Sequence, residues 1–241
     1  MILIRVALFL FLGYSLGFYS TNNIENLVPL FKSNGMDISI VKGFINIETK
    51  NLPNHKTVYY LDTQWEQSLY EDFKENNGMR FRLNPNRIAE QAFEIKIPLH
   101  PKESKNKQAT GMGVIGVSRN GVVLFNQYAA GRAPLTREIR SFDQSNGHPT
   151  RNGTYHYHIE PIAITKEFGK DAFIGLLLDG FPVYGPEENN KTITNDDLDT
   201  YHGHFGKTKE FPNGIYHYHF TYEAPYLNGN GYFGTPGTIT N

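Results

Sequence analysis

Seven of the nine histidines lie in two short segments of the second half of the chain. Each segment contains a Gly-His pair followed by Tyr-His-Tyr-His, at 147–158 and at 202–219, where His202 precedes the Gly-His pair. On a β-strand, residues i and i+2 face the same side about 6.6 Å apart, so His156 and His158 project together. Imidazole nitrogens on one face can bind one transition-metal ion, at about 2.0–2.1 Å if the ion is zinc.

A third histidine and an aspartate in the loop before each Tyr-His-Tyr-His strand would complete a shell of three nitrogens and one oxygen. An aspartate beside a histidine can instead orient the imidazole without binding the metal. The spacing leaves open whether the segments form two equivalent sites or one shared site. The candidate ligands are Asp143, His148, His156 and His158 in the first segment, and Asp199, His204, His217 and His219 in the second.

The chain contains no cysteine, which excludes thiolate ligands and so narrows the choice of metal. It also excludes disulfides and a cysteine nucleophile. Imidazole-rich sites suit Zn(II), Cu(II), Ni(II) or Fe(II), whereas Ca(II) and Mg(II) prefer oxygen shells. We expect zinc or copper. The acidic stretch 186–199 lacks the glycine of a calcium-binding EF-hand loop and is interpreted as a solvated loop. Histidines bonded to backbone or tyrosine hydroxyls, without a metal, are the alternative interpretation.

The tyrosines of the two motifs alternate with the histidines and should therefore point to the other side of each strand. We expect their rings to pack in the core with their hydroxyl groups hydrogen-bonded. This placement argues against a redox role of the tyrosines at the metal. The four residues are Tyr155, Tyr157, Tyr216 and Tyr218.

An internal repeat surrounds these motifs. Aligning Gly116 with Gly175 also aligns Asn120-Gly121 with Asp179-Gly180, and each dipeptide is flanked by apolar runs in the manner of a β-hairpin. The Gly-His and Tyr-His-Tyr-His motifs follow in both copies, so the repeats span about 111–160 and 172–221. Two copies of one unit pack about a pseudo-two-fold axis. The sequence therefore predicts a mainly β protein, a β-sandwich or distorted barrel built by internal duplication.

Outside the repeats, alternating apolar residues predict strands within 36–50 and 93–98. Trp65, Leu69 and Phe73 are spaced four apart, which is typical of one face of a helix. Thr63 and Glu66 form a capping-box pattern before them, and Gly78 would end the helix. The polar run 101–110 is interpreted as a solvated loop. We expect one or two short helices in all.

Residues 1–20 resemble a secretory signal peptide, with Arg5 before an apolar run at 6–18. This run is shorter than the ~20 residues that a membrane-spanning helix requires. We expect a single mature domain at 21–241, secreted or periplasmic, with no stable membrane insertion after the signal is removed. The net charge of −1 without a basic cluster excludes a nucleic-acid partner.

The segments NGHPTRNGTYHYH, DGFPVYGP and NGIYHYH resemble the signature blocks of the YHYH domain family, and the resemblance extends over about 36–226. The resemblance implies an exported protein and no particular reaction. Members often carry cysteine near the two Gly-His motifs, where this chain has Ser145 and Tyr201. A disulfide-stapled version of these loops is therefore not expected here.

Three functions are compatible with the sequence. The first is an exported protein that binds a metal ion for storage, delivery or sensing. The second is a metal-dependent enzyme, either a hydrolase or a copper oxidoreductase, with His55, Glu160 or Asp179 as the possible base. The third is a structural or carbohydrate-contacting module without metal. Metal content separates the third from the others, and an open coordination position beside a carboxylate would favour the enzyme.

Overall fold

A computed structural model describes residues 22–76, 78–229 and 231–241. The signal peptide predicted at 1–20 lies outside the described residues. Within the described part of the chain, no helix is long and apolar enough to cross a membrane.

Strands dominate the described chain, as the sequence predicts, and helices are short. The α-helices are α1 (Glu66–Leu69) and α2 (Ile162–Phe168), and 3-10 helices span Glu25–Leu30, Val58–Tyr60, Ala130–Arg132, Glu138–Ser141 and Asn195–Asp197. The strands are β1 (Met36–Val41), β2 (Phe44–Thr49), β3 (Glu75–Asn76), β4 (Met79–Arg80), β5 (Phe93–Pro98), β6 (Glu103–Gln108), β7 (Val114–Ser118), β8 (Val123–Phe125), β9 (Tyr128–Ala129), β10 (Ala133–Pro134), β11 (Gly147–Pro149), β12 (Tyr155–Tyr157), β13 (Phe173–Leu177), β14 (Pro182–Tyr184), β15 (Glu187–Glu188), β16 (Lys191–Thr192), β17 (Gly203–Gly206), β18 (Ile215–His219), β19 (Tyr232–Gly234) and β20 (Thr238–Thr240).

The two repeats together form one eight-stranded sheet, in the order β11-β12-β8-β7-β13-β14-β18-β17. In each half, the second strand of a hairpin pairs in parallel with the Tyr-His-Tyr-His strand. That strand pairs antiparallel on its other side with the Gly-His strand, which lies at the edge of the sheet. The halves meet where Val117 of β7 pairs with Leu176 of β13. Their separation, 176 − 117 = 59, equals that of Gly116 and Gly175 (175 − 116 = 59). A pseudo-two-fold axis passes through this pair, which confirms the predicted duplication.

Glycines permit the close contact at this axis. A Cβ atom on Gly116 would lie 2.4 Å from the Leu176 carbonyl oxygen, and one on Gly175 would lie 2.2 Å from the Val117 carbonyl oxygen. Real Cβ atoms do not approach that closely, so any side chain at either position would force the repeats apart.

A second sheet, in the order β1-β2-β5-β20, consists of three strands from the first half of the chain and one from its C-terminal end. Its alternation predicted from the sequence is confirmed at Ile45, Ile47 and Ile95, which belong to the same buried core as the central sheet. Asn51 connects the sheets, because its Nδ2 donates to Tyr155 O at 2.8 Å. The strand orders are open at both ends, so the described sheets form a sandwich-like arrangement and not a closed barrel.

The helix predicted around Trp65 is wrong beyond one turn. The α1 helix ends at Leu69, and Tyr70 is extended with ψ of 139°. Trp65 packs edge-on against Tyr60, whereas Phe73 packs edge-on against Phe81. The aromatic residues thus find separate partners in the fold, and these contacts override the four-residue spacing.

The polar run at 101–110 is also not a simple loop. It contains β6, which pairs antiparallel with β19 near the opposite end of the chain. Ser104 and Thr110 are buried there. No local pattern marks this strand, because its hydrogen-bond partner lies more than a hundred residues away.

Candidate metal centres

The structure brings His148, His156 and His158 together at one end of the central sheet. His148 on β11 pairs directly with His156 on β12. The Nε2 atoms of these two rings are 3.1 Å apart, and those of His156 and His158 are 3.0 Å apart. All three side chains are buried. We call these three residues the first centre.

The other ring nitrogens of two of these histidines bind backbone carbonyl groups. His156 Nδ1 donates to Thr154 O at 3.0 Å, and His158 Nδ1 donates to Asn126 O at 2.5 Å. A carbonyl oxygen can only accept, so each Nδ1 carries the proton. In the neutral imidazole the Nε2 atom then has a free lone pair.

His148 is oriented by a hydroxyl in the same way. Its Nδ1 lies 2.9 Å from Ser141 Oγ, and that hydroxyl donates its own proton to Glu138 O at 2.7 Å. The serine oxygen therefore accepts from His148 Nδ1, which leaves a lone pair on the third Nε2 atom as well. The Nε2 lone pair of His156 thus lies about one hydrogen-bond length from each of the other two.

Burial keeps these imidazoles neutral. It lowers the pKa of His158 to about 4. Burial, reinforced by the neighbouring rings, also holds the pKa of His148 and His156 well below the ordinary value for histidine. Protonation therefore does not relieve the lone-pair contact at neutral pH, and neutral imidazole is the form that binds metals.

The second repeat forms the second centre, which contains His204, His217, His219 and Glu188. His204 on β17 pairs with His217 on β18, and their Nε2 atoms are 3.0 Å apart. The ligand atoms of the four side chains all lie within 4.8 Å of one another. Three imidazoles and one carboxylate are a combination that can hold a metal ion.

The orientation of the rings in the second centre repeats that of the first. His217 Nδ1 donates to Ile215 O at 3.0 Å, and His219 Nδ1 donates to Gly185 O at 2.7 Å. His219 Nε2 is buried and has no hydrogen-bond partner. Burial lowers the pKa of His217 to about 4 and that of His219 to about 3, with neighbouring rings adding to the shift.

Glu188 places its carboxylate against two of these rings. Its Oε1 is 3.3 Å from His217 Nε2, and its Oε2 is 3.7 Å from His204 Nε2. Gly206 makes room for it, because a Cβ there would lie 3.2 Å from Glu188 Oε1. Glu188 is only 20% exposed, so the interpretation of 186–199 as a solvated loop is wrong at this residue.

Asp143, expected as a ligand of the first centre, is not brought into it. Its Oδ1 accepts from the backbone N–H groups of Ser145 at 2.8 Å and Gly147 at 3.1 Å. Its Oδ2 accepts from the hydroxyl groups of Tyr155, at 2.7 Å, and Thr57. Both carboxylate oxygens are therefore engaged in shaping the loop before the Gly-His pair.

Asp199 occupies the same position in the second repeat and also lies outside the histidine group. Its Oδ1 accepts from the backbone N–H groups of Tyr201 at 2.8 Å and Gly203 at 3.3 Å, and from Tyr216 OH at 3.0 Å. The two aspartates thus join each Gly-His loop to the first tyrosine of its Tyr-His-Tyr-His strand.

The remaining tyrosines confirm that the aromatic face lies opposite the imidazoles. Tyr157 OH is hydrogen-bonded to His55 Nε2 at 2.9 Å, and Tyr218 OH donates to Asp179 at 2.6 Å. His55 and Asp179, two of the possible bases, therefore lie on the tyrosine side. Burial raises the pKa of the Asp179 carboxyl to about 6.

Sequence reasoning did not identify the two glutamates that approach the histidines. Glu188 and Glu138 both lie in the loop between a hairpin and the following Asp-x3-Gly-His motif, and Glu138 Oε1 is 3.5 Å from His148 Nε2. The only available signal was an acidic residue in the same topological loop of each repeat. Glu160, the third possible base, forms an ion pair with Lys170 instead.

The two centres are separate. Their Tyr-His-Tyr-His strands, β12 and β18, are five strand positions apart in the sheet, or about 24 Å at ~4.8 Å per strand. Each histidine group lines its own cleft, of about 400 Å³ at the first centre and about 530 Å³ at the second. The question of one shared site or two is therefore decided in favour of two groups.

These features define a β-rich protein with two buried histidine groups that could each hold a metal ion. A family model described as YHYH protein matches residues 94–196 and 186–230. The chain belongs to the YHYH protein family. No curated protein and no solved structure matches the chain.

Proposed function

We propose that this protein is an exported metal-binding protein that holds zinc or copper at both centres. The observation that carries the proposal is the convergence of the Nε2 lone pairs in the first centre. Neutral imidazoles that point their lone pairs at one another repel, and a cation between them converts that repulsion into attraction.

The spacing of the ring nitrogens supports a bound ion. Nitrogens that surround a zinc ion tetrahedrally at ~2.05 Å are about 3.3 Å from one another. The distances of 3.0 and 3.1 Å in the first centre and 3.0 Å in the second are within a few tenths of that value. The hydrogen bonds at Nδ1 are of the kind that orient metal-binding histidines.

Buried polar atoms without partners support the same proposal. His219 Nε2, Glu188 Oε1 and Glu138 Oε2 are buried and lack hydrogen bonds. Such atoms are costly, at about 1–3 kcal/mol each. A cation at the second centre would satisfy the first two directly, because His219 and Glu188 both belong to that centre. The chain has no thiolate to offer, so nitrogen and oxygen ligands favour zinc or copper.

Export is part of the proposal and is supported by the apolar segment at 6–18 with Arg5 before it. It is tested by fractionating cells of the source organism and sequencing the N-terminus of the protein recovered. A mature N-terminus near Thr21 in the extracytoplasmic fraction is expected. Recovery of the intact N-terminus from the cytoplasm would refute export without affecting metal binding.

Elemental analysis of protein prepared without a histidine tag tests the metal binding. Up to two zinc or copper ions per chain are expected, and the double variant His156→Ala, His158→Ala should lose one of them. His202→Ala is the matched control, because His202 is buried but bonds to Thr221 outside both centres. Folded, metal-free protein that cannot be reloaded with either ion would end the proposal.

A further inference from the structure

The two centres differ in how fully protein atoms surround the ring nitrogens. Glu188 joins the three histidines of the second centre, whereas the first contains histidines alone. Structural zinc sites have four protein ligands, but catalytic sites have three and leave one position open. We infer that the first centre hydrolyses small carboxylic esters, with Glu138 as general base; this rests on the proposed metal binding. The second centre is then the structural one.

Glu138 lies beside the first centre without belonging to its ligand group. Its Oε1 is 3.5 Å from His148 Nε2, and its Oε2 is buried without a hydrogen-bond partner. Two ligands of one ion cannot be more than about 4.4 Å apart, which is twice a long metal–ligand bond of ~2.2 Å. Glu138 is not in the set whose ligand atoms lie within 4.8 Å of one another. Its carboxylate therefore lies beside the ligand group without completing it.

A single turn of chain fixes the base relative to a ligand. The 3-10 helix Glu138–Ser141 carries the carboxylate at its start and, at its end, the hydroxyl that orients His148. The Ser141 hydroxyl also closes the turn onto Glu138 O. A base must lie within reach of the proton that it removes, and this turn holds Glu138 next to His148.

The cleft at the first centre has room for a small ester. Its volume of about 400 Å³ is in the range of small-molecule sites. Its wall combines apolar and aromatic groups with neutral amides and one cationic side chain. These residues include Phe125, Met112, Tyr128, Asn84, Asn86 and Arg151. Phe125 stacks on His156 with ring centroids 3.9 Å apart, so the apolar wall reaches the ligands themselves.

The chemistry balances with water as the only co-reactant. An ion held by His148, His156 and His158 would supply Lewis-acid catalysis and would lower the pKa of the attacking water. As the water oxygen bonds to the ester carbonyl carbon, Glu138 accepts the proton that the water loses. The carbon–oxygen bond to the alcohol then breaks, and Glu138 returns the proton to the departing alkoxide. One ester and one water give one carboxylic acid and one alcohol.

The test measures hydrolysis of p-nitrophenyl acetate and butyrate by zinc-loaded protein, with metal content determined on the same sample. Glu138→Gln should retain both ions and lose at least ~10²-fold in rate, the size of a general-base contribution. His156→Ala should abolish the activity together with one ion. Glu167→Gln, the same chemical change at an exposed position of α2, is the matched control and should hydrolyse at the rate of the unmodified protein.

Three outcomes would overturn the inference. Protein with both ions bound that does not hydrolyse either ester would refute it and leave metal binding intact. A Glu138→Gln variant with full activity would remove Glu138 from the mechanism. Loss of an ion in that variant would show that Glu138 is a ligand and that the first centre is closed. Failure of the proposed metal binding is recognised separately, because the unmodified protein would then contain no ion.

Discussion

The substitution Asp143→Asn tests whether Asp143 binds the metal or only holds the loop before the Gly-His pair in shape. Asp143 is fully buried and accepts four hydrogen bonds, two from backbone N–H groups and two from hydroxyl groups. Asparagine keeps one oxygen that accepts from the N–H groups and replaces the other with an NH2 group. The two hydroxyl groups can rotate and accept hydrogen bonds from this NH2 group. The loop should therefore persist, and the first centre should retain its ion.

The energetic cost follows from these contacts. Hydrogen bonds to a charged group contribute ~1.5–3 kcal/mol, and neutral ones ~1 kcal/mol. Exchanging the two hydroxyl contacts at Asp143 should lower the free energy of unfolding by about 1–4 kcal/mol. Asp143→Ala should cost about 4 kcal/mol or more, because four buried donors then lose their acceptor at ~1–3 kcal/mol each.

Urea denaturation and elemental analysis of Asp143→Asn provide the two measurements. We expect reduced stability and an unchanged metal content. Asp199→Asn in the second repeat should also leave the metal content unchanged, with a smaller loss of stability because Asp199 is exposed. His156→Ala is the positive control for loss of an ion. Asp143→Asn protein that is as stable as the unmodified protein but lacks one ion would refute the reasoning and make Asp143 a ligand.

Three further predictions follow from the contacts. Ser141→Ala removes the acceptor that orients one imidazole and should weaken metal binding at the first centre ~10–100-fold, measured by chelator competition. Gly206→Ala places a methyl group 3.2 Å from Glu188 Oε1, so the second centre alone should bind its ion more weakly in the same assay. Asp179→Asn should raise the free energy of unfolding at pH 7.5 by up to about 3 kcal/mol, because the folded pKa of about 6 lies above the ordinary aspartate pKa of 3.8. A carboxyl group whose pKa is raised in the folded state stabilises the fold below pH 3.8, and this contribution is lost as the pH rises through 6. The stability gained by Asp179→Asn should therefore disappear below pH 3.8 when the free energy of unfolding is measured at a series of decreasing pH values.

The sequence by itself determined the duplication, the hairpins and the side of each strand on which the histidines lie. These features depend on local rules: side chains alternate along a strand, and Asn-Gly and Asp-Gly dipeptides form tight turns. Gly121 and Gly180 show the outcome, since both adopt positive φ in the predicted turns. The opposite placement of the tyrosines follows from the same alternation.

Only the tertiary structure decided which carboxylates approach the histidines and that the histidines form two groups. Glu138 and Glu188 reach the rings from loops whose course no periodicity encodes. The separation of the centres depends on strand order, because two hairpins lie between β12 and β18. Asp143 has the right spacing but gives its oxygens to nearer donors. Spacing along a strand is set by covalent geometry, whereas contacts between distant loops are set by packing of the whole chain.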